Sequence, residues 1–332
     1  MLSDLKKKSE KMNQQLIDLK NKLAPIADLI TDKNDVFYLD YPLHLNVGDL
    51  LIYHGTEQFF KDHHIHVALK RSEFDMDIEE LKQKITPNTT ILLHGGGNFG
   101  DLYPQHQNLR EIIIRTFPNN RVIVLPQTLF YKNQETLEKS AALFMQHQDC
   151  HLLARDERTA NAFKQFSPNV YLSPDMAHEL YGTLPTKNTQ TGQSLYFLRK
   201  DIEASDIEKN ITAKLPAGSH IKDWDDILSG QDDFVLAVSW RLAKFAKRHD
   251  ISWLKDLVHQ YWKNYTLRIV QRVAKNFLSY DNITPTRLHG HIFSCLLEIP
   301  NVVCDNSYGK NTGYANLWTK ELDFVEFYTQ QK

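Results

Sequence analysis

Short apolar runs alternate along the chain with longer segments whose apolar residues recur every three or four positions. The short runs predict buried strands, and the longer segments predict helices that bury one face. The predicted strands cover residues 36–39, 90–93, 121–125, 151–154, 170–172, 194–198, 234–238 and 300–305. The predicted helices cover residues 50–60, 109–117, 134–148, 253–265 and 267–278.

This alternation predicts an α/β fold in which helices connect parallel strands and cover both faces of each sheet. A polar segment over residues 185–193 interrupts the pattern, which then starts again. We therefore expect two Rossmann-like domains facing across a cleft, an N-terminal one over residues 31–187 and a C-terminal one over residues 188–332. The last helix is expected to pack back on the N-terminal domain.

The first 30 residues predict a separate amphipathic helix. Leu16, Leu19 and Leu23 recur at roughly helical spacing among several lysines. The leucines would pack on the body of the protein or on a second subunit, whereas the basic face could instead touch anionic lipid headgroups. The segment has no apolar stretch long enough for a signal peptide or a membrane span.

Composition and charge fit a globular protein without a general affinity for nucleic acid. The 332 residues carry a formal charge of −2, and 42% are hydrophobic, so an anion site must be built locally. Cys150, Cys295 and Cys304 lie far apart, which indicates buried thiols in a reducing compartment. We expect a cytoplasmic protein, either free or peripheral at the inner face of the membrane.

One predicted strand runs into residues 94–101, HGGGNFGD, where four glycines fall within six residues. Such a backbone lets another molecule approach closely, and its amides could hold a carboxylate or phosphate. A tight turn without a ligand is the alternative. The segment also matches the G-x-G-x-x-G pattern, but the next strand ends in Pro126, Gln127 and Thr128 without the acidic residue of a dinucleotide site.

Other catalytic signatures are absent from the sequence. It contains no G-x-S-x-G elbow, no G-K-[ST] segment and no H-E-x-x-H segment. His63, His64 and His66 lie close together, but no recognisable zinc-ligand spacing surrounds them. We expect neither a metal ion nor a cofactor.

Polar residues follow most predicted strands, and in parallel sheets ligands bind at the carboxyl ends of strands. The residues expected to meet there are Asn46, Gly97, Asn98, Gln127, Arg155 and Asp156. Farther along, Arg287 and His289 lie two positions apart at a predicted helix start. Arginine is permanently charged, and histidine exchanges protons near neutral pH. These parts suit a small substrate with several negative charges, although a salt-bridge cluster is the alternative.

Six segments together resemble the polysaccharide pyruvyl transferase family. They are residues 46–49 (NVGD), 94–102 (HGGGNFGDL), 125–128 (LPQT), 154–156 (ARD), 287–290 (RLHG) and 305–310 (DNSYGK). The resemblance spans roughly residues 35–315 and implies a fold similar to the GT-B glycosyltransferases. It also implies that phosphoenolpyruvate, as a co-substrate, gives its three-carbon unit to two hydroxyls of one sugar, leaving a cyclic pyruvate ketal and phosphate.

With this donor, the resemblance implies that arginines bind its carboxylate and phosphate. Arg287 is expected to be one of them, and Arg199 the other, with Arg155 as the alternative. The donor-binding residues expected from the glycine-rich segment are His94, Gly96, Gly97 and Asn98.

The same resemblance implies a general acid and a base. His289 is expected to protonate the enol carbon, because histidine exchanges protons near neutral pH. Asp49 and Asp101 are both candidates for the base that takes the sugar hydroxyl proton, and His291 is a third. Spacing alone does not rank them.

Two other functions stay open at this point. One is a GT-B glycosyltransferase that uses a nucleotide sugar, because fold does not fix function. The other is a non-catalytic partner in a polysaccharide-assembly complex, against which the intact Arg287 and His289 argue. The sequence also leaves open the acceptor sugar, its attachment to a lipid and a homo-oligomeric state. The aromatic residues that could stack on a sugar, or simply fill the core, are Trp224, Trp240, Trp253, Tyr261 and Trp262.

Overall fold

The structure is a computed structural model, and it describes residues 14–185, 190–200, 206–305 and 310–328. The strands are β1 (Val36–Leu39), β2 (Val67–Arg71), β3 (Thr90–Leu93), β4 (Gly96–Gly100), β5 (Val122–Phe130), β6 (Cys150–Ala154), β7 (Asn169–Leu172), β8 (Ser194–Phe197), β9 (His220–Lys222), β10 (Asn282–Pro285), β11 (Asn301–Val303) and β12 (Val325–Phe327). The helices are α1 (14–21), α2 (Val47–Asp62), α3 (Ile78–Lys84), α4 (Pro104–Thr116), α5 (Gln134–Met145), α6 (Glu157–Phe163), α7 (Asp206–Lys214), α8 (Gly230–Arg248), α9 (Ser252–Phe277), α10 (Leu288–Leu296) and α11 (Lys310–Trp318). Short 3-10 helices cover Ala24–Leu29, Met176–Leu180 and Trp224–Asp226.

The strands form two parallel sheets. The first has the order β2-β1-β3-β5-β6-β7, with β4 paired to β5, and the second has the order β12-β11-β10-β8-β9. The order β2-β1-β3 in the first sheet corresponds to β9-β8-β10 in the second. In each sheet the first strand in sequence thus lies between the second and the third, as in doubly wound folds. The predicted fold, with Rossmann-like units on parallel sheets, is confirmed. The boundary near residue 187 stays a prediction.

Each sheet has a topological switch point, where neighbouring strands send their following chain to opposite faces. It lies between β1 and β3 in the first sheet and between β8 and β10 in the second. Both β1 and β3 are buried along their whole length, which explains their unbroken apolar sequences. Chain that leaves two adjacent strands in opposite directions opens a crevice at their carboxyl ends, so ligands bind there in such folds.

The predicted strand over residues 234–238 is wrong, because this segment lies inside helix α8. Ser229 and Asp232 form a capping box at the start of the helix. Val235, Ser239 and later residues at helical spacing point into the protein. The two helices predicted after residue 252 are one continuous helix, α9.

Strand β5 does not stop at Pro126, as the sequence predicted, but continues to Phe130. Its pairing with β6 shifts register between Val124 and Gln127. This irregularity accommodates proline, which has no N–H to give to the ladder.

Helix α1 packs on the body of the protein through its leucines. Leu16, Leu19 and the following Leu23 are all buried, and Lys20 Nζ lies 2.9 Å from Asp62 Oδ2. In its described part, the helix therefore packs on the protein, which was one of its two predicted roles. Residues 1–13 lie outside the described residues.

Helix α9 follows β8 in sequence but packs on the N-terminal half. Lys255 donates to Glu80 Oε2 at 2.8 Å, and Arg71 Nε donates to the same oxygen at 2.9 Å. Trp262, which is fully buried, donates to the carbonyl of Pro42 at 2.7 Å. The charged residues of this contact form a buried network, in which removal of one partner would leave an unpaired buried charge.

Helix α11 makes a second contact of this kind. Trp318 Nε1 donates to the carbonyl of Arg155 at 2.8 Å, and the Tyr314 hydroxyl accepts from the backbone N–H of Asp175 at 3.0 Å. Two helices of the C-terminal half, α9 and α11, are therefore packed on the N-terminal half. Among the described helices, none has the length and apolar character needed to cross a membrane.

Candidate active site

A cavity of about 370 Å³ lies at the carboxyl ends of the central strands of both sheets. The predicted site residues that line it are Asn46, Asp49, Gly97, Asn98, Arg155, Arg199, Arg287 and His289. They come from separate elements of both halves, so it is the fold that brings them together.

The two arginines of the C-terminal half leave adjacent strands at the same level. Arg199 follows β8 and Arg287 follows β10, and these strands pair so that Phe197 lies opposite Pro285. The backbone N–H of Arg199 donates to Thr286 Oγ1 at 2.9 Å, which ties the two strand ends together. Both guanidinium groups therefore enter the cavity at the switch point of the second sheet.

A buried carboxylate fixes the Arg287 side chain. Asp223 binds its Nε and Nη2 as a fork, with 2.7 Å between Nη2 and Oδ2. Asp223 also accepts from the backbone N–H groups of Lys200 and Trp224. Sequence reasoning missed this residue, because only the fold brings it beside Arg287.

A second buried carboxylate, Asp175, joins two of the predicted residues. Its Oδ2 lies 2.6 Å from Arg155 Nη1 and 3.4 Å from His289 Nε2. Burial would raise the pKa of Asp175, but the neighbouring His289 and Arg155 outweigh it and hold that pKa well below its usual range. The ionised carboxylate of Asp175 faces the imidazole of His289, an arrangement that fixes the orientation of a histidine ring. The sequence offered one signal, a polar turn directly after β7.

Gly48 provides the space for the His289 ring. A Cβ atom at Gly48 would lie 2.5 Å from Nδ1 and 2.9 Å from Cγ of His289, both closer than atoms can approach. The NVGD segment thus needs glycine because α2 begins against the imidazole. Gly290 has a similar role, since a Cβ there would lie 2.8 Å from the ring of Phe197. Gly48 thus lets α2 approach the histidine, and Gly290 lets α10 pack on β8.

The structure separates the two candidate bases. Asp49 lies in the first turn of α2, lines the cavity and has its Oδ2 3.7 Å from His44 Nε2. Asp101 does not line the cavity. Its carboxylate accepts from the backbone N–H groups of Lys132 and Asn133, each at 2.8 Å, and thereby holds the start of α5. Of the two candidate bases, Asp49 is the one that lines the cavity.

Two other predicted residues lie away from the cavity. Asp156 does not line the cavity; it accepts from the Thr128 hydroxyl at 2.9 Å and caps α6. His291 is buried between Asn301 and Thr319, and burial lowers its pKa to about 4. Neither can take a proton from a substrate in the cavity.

The glycine-rich segment is strand β4 rather than a turn. Gly100 has a φ of 129°, and a Cβ there would lie 1.9 Å from the carbonyl oxygen of Phe130. Gly96, with a φ of 126°, pairs with Gln127 of β5 and does not line the cavity. Most of the close approach that the glycines permit is therefore made by the protein's own backbone. Gly97 is the exception, since it borders the cavity.

His94 and Asn98 belong to a polar network behind the cavity. His94 is buried against the hydroxyl of Tyr38 at 2.6 Å, and burial lowers its pKa to about 4. The Asn98 side chain lines the cavity but accepts from Gln127 Nε2 at 3.0 Å and from Arg110. Both residues therefore position β4, and neutral His94 does not supply a charge for a donor.

Three further polar residues lie close enough to share a metal ion, in the part of the chain that the structure describes. Asp40, Glu73 and His106 offer atoms within 4.8 Å of one another. His106 Nδ1 lies 2.8 Å from Asp40 Oδ1, and Arg110 lies 3.8 Å from the same carboxylate. Positive groups of the protein thus already neutralise Asp40, and the cluster fits an ion pair better than a metal site. His63, His64 and His66 do not form such a group.

Aromatic side chains form another part of the wall. Trp224, Trp240 and Phe74 line the cavity, and the rings of Phe74 and Trp240 are 5.2 Å apart. Trp240 Nε1 donates to the carbonyl of Leu43 at 2.6 Å, which fixes its ring. Trp262 fills the core, and Trp253 and Tyr261 lie exposed elsewhere.

The DNSYGK segment is described only at its ends. Residues 306–309 lie outside the described residues. After them, Asn311 lines the cavity, and its side chain donates to the carbonyls of Thr286 and Cys304 at 2.8 and 2.9 Å. This residue joins β10, β11 and α11 at the edge of the site.

Residues 46–308 match the model of the family described as polysaccharide pyruvyl transferase. The chain belongs to this family. Pyruvyl transferase EpsO of Bacillus subtilis, a provisional assignment, is 39% identical over 306 residues, which are 91% of each chain. Pyruvyl transferase 1 of Schizosaccharomyces pombe is 29% identical over 85% of this chain and 69% of its own. Membership indicates a transferase of polysaccharide pyruvylation.

A solved structure supports the fold. Protein KP1_0663 of Klebsiella pneumoniae, described as functionally uncharacterised, has a TM-score of 0.55 to this chain and 19% sequence identity. The likeness covers 94% of this chain and 98% of that one. It extends over both sheets, so the two-sheet arrangement around the cavity is shared.

Proposed function

We propose that this pyruvyl transferase family member transfers the three-carbon unit of phosphoenolpyruvate to two hydroxyls of one sugar, forming a cyclic ketal and releasing phosphate. The observation that carries the proposal is the meeting of Arg155, Arg199 and Arg287 around His289 in one cavity. A donor with a carboxylate and a phosphate needs several fixed cations and one proton donor. The proposal includes neither a metal ion nor another cofactor.

Arg287 and Arg199 are the proposed donor-binding pair. Both come from the switch point of the second sheet, and Asp223 holds Arg287 in a fixed orientation. Fixed guanidinium groups bind planar carboxylate and phosphate groups with little loss of entropy. Arg155 is held by Asp175, so its main role is to maintain the ionised carboxylate beside His289.

His289 is the proposed general acid. In the reaction, its proton adds to the methylene carbon of the enol, which becomes the methyl group, and the central carbon becomes electrophilic. One sugar hydroxyl adds to that carbon, the bond from carbon to the phosphate oxygen breaks, and the second hydroxyl adds. The two hydroxyls release two protons, of which one restores His289 and the other leaves on phosphate. Asp49, which lines the cavity, is the proposed first acceptor of a hydroxyl proton.

The acceptor sugar is proposed to lie against Trp240 and Phe74. Aromatic faces stack on the apolar faces of sugar rings, and both side chains border the cavity that contains the donor arginines. Glu73 and His106 line the same region and can accept or donate hydrogen bonds to further hydroxyls.

The test is a phosphate-release assay with phosphoenolpyruvate and a panel of acceptor sugars, with the ketal methyl group detected by NMR. We expect release that depends on the acceptor. His289→Ala should lower kcat by roughly 100-fold or more while phosphoenolpyruvate still binds. Arg287→Lys should raise the KM for the donor, because lysine cannot form the bidentate fork. Arg115→Lys, on an exposed face of α4, is the matched control.

Acceptor-independent release, or near-normal turnover by His289→Ala, would contradict the proposal. A rise in melting temperature with a nucleotide sugar but not with phosphoenolpyruvate would instead favour the glycosyltransferase alternative.

A further inference from the structure

Helices α8 and α9 form an antiparallel hairpin at the surface. Residues 249–251 connect them. Asp232, in the first turn of α8, accepts from Tyr265 at 2.7 Å and from Arg272 at 2.6 Å, both on later turns of α9. The two helices therefore lie side by side, and one face of the hairpin covers the core.

The hairpin exposes an unusual amount of apolar surface. The five most exposed large hydrophobic side chains among the described residues all belong to it: Phe234 at 67%, Phe245 at 50%, Trp253 at 68%, Leu257 at 56% and Tyr261 at 53%. The last three recur every four residues and so form one stripe along α9. Single exposed apolar residues are ordinary, but a group of them on one element indicates an interaction surface.

Cationic side chains accompany this apolar surface. Arg241, Lys244, Lys247 and Arg248 are all exposed on α8, and residues 234–249 contain no aspartate or glutamate. The nearby carboxylates of Asp250 and Asp256 are paired with Lys255 and Arg71. The chain as a whole has a formal charge of −2, so this positive charge is local. Exposed Trp and Tyr among Arg and Lys are typical of surfaces that bind at the boundary between anionic lipid headgroups and acyl chains.

The cationic side of the hairpin continues to the catalytic cavity. Trp240 of α8 lines that cavity, and Lys244, one turn later, lies 5.4 Å from the ring of Phe74. Glu73 and Phe74 border both the catalytic cavity and a shallow depression formed with Lys244, Lys247 and Arg248. A membrane on the hairpin would thus lie beside the mouth of the site.

We infer that the α8–α9 hairpin docks the protein on an anionic phospholipid bilayer. A second copy of the chain fits this surface less well. In a symmetric dimer the same patch would face itself, so the four cations of one subunit would oppose those of the other. An anionic bilayer offers the complementary charge together with an apolar layer for Trp253 and Leu257. Docking of this kind does not depend on the reaction proposed above.

The experiment is co-sedimentation of the full chain with phosphatidylcholine vesicles that contain or lack phosphatidylglycerol. We expect binding that requires phosphatidylglycerol and weakens with salt. Lys247→Glu with Arg248→Glu should lower the partition coefficient roughly 25-fold or more, since each cation near an anionic surface contributes roughly fivefold. Trp253→Ser with Leu257→Ser should also weaken binding. Lys139→Glu with Lys209→Glu, exposed residues outside the hairpin, should weaken it much less.

These exposed substitutions should leave the melting temperature nearly unchanged, which separates loss of docking from loss of folding. The inference is overturned if the unmodified chain stays in solution with both vesicles, or if the hairpin variants bind as tightly as it does. It is also overturned if sedimentation velocity shows a dimer that Trp253→Ser with Leu257→Ser dissociates, because the surface would then belong to a second copy.

Discussion

The contact between Gly48 and His289 makes a sharp test of the site, because a single methyl group should displace the proposed general acid. A Cβ at Gly48 would lie 2.5 Å from His289 Nδ1, whereas ordinary contact begins at 3.4 Å. The imidazole must therefore move by about 0.9 Å, and a displacement of this size can lower a rate about 100-fold. We expect Gly48→Ala to lower kcat by about that factor.

Stability should not fall in parallel. Gly48 lies in the first turn of α2 and has no positive φ, so its backbone accepts alanine without strain. Rotation of the His289 side chain relieves the contacts with Nδ1 and Cγ, and the contact with its Cβ, at 3.1 Å, needs a shift of only a few tenths of an ångström. We expect a melting temperature within a few degrees of the unmodified protein, together with a changed chemical shift for His289 in NMR spectra.

Gly313→Ala is the matched control. Gly313 lies in helix α11, and a Cβ there meets nothing within 4 Å. This variant should keep full activity and gain some stability from the better helix propensity of alanine. Near-normal phosphate release by Gly48→Ala would refute the placement of His289 against α2. A collapse of its melting temperature would refute the argument that only the imidazole has to move.

Two further predictions concern carboxylates and pH. Asp49→Asn should lower kcat at least about 100-fold with little change in melting temperature. Asp101→Asn should cost about 1 kcal/mol of unfolding free energy and leave kcat nearly intact, because the Asp101 carboxylate only caps backbone N–H groups. The opposite pattern would exchange the roles of the two aspartates. Burial lowers the pKa of His106, but the neighbouring Asp40 outweighs burial and raises this pKa above 6.5. The stability that the pair contributes is therefore fully present below pH 6.5 and is lost as the pH rises through the raised pKa. The partner Asp40 has a lowered pKa and loses its contribution as pH falls through that value. Histidine NMR titration and pH-dependent denaturation of His106→Gln check this, and a His106 resonance that titrates below 6.5 would contradict it.

The sequence predicts the parts of the site that are close together along the chain. Arg287 and His289 are separated by one residue at the start of a helix, so their common location follows from local structure. Arg199 could be predicted because it follows a strand, and strand ends meet in parallel sheets. The order of strands and helices likewise follows from the apolar pattern.

The partners of these residues could not be predicted in the same way. Asp175 and Asp223 are single carboxylates far from His289 and Arg287 in sequence, and only the packing of the sheets brings them into contact. Asp49 and Asp101 both follow a glycine, so spacing does not distinguish a cavity residue from a backbone cap. The prediction of a strand over residues 234–238 is wrong because a run of five apolar residues fits both the strand period and the helix period. The buried residues that reveal the helical period lie outside this run.

The packing of α9 and α11 on the N-terminal half has a consequence for folding. Lys255 from the C-terminal half meets Glu80 and Arg71 of the other, and Trp262 occupies a place in the core beside Pro42. A fragment that ended near residue 187 would leave Glu80 without its buried lysine, and the remaining fragment would expose the indole. We therefore expect the two sheets to unfold as one cooperative unit, in a single transition on heating.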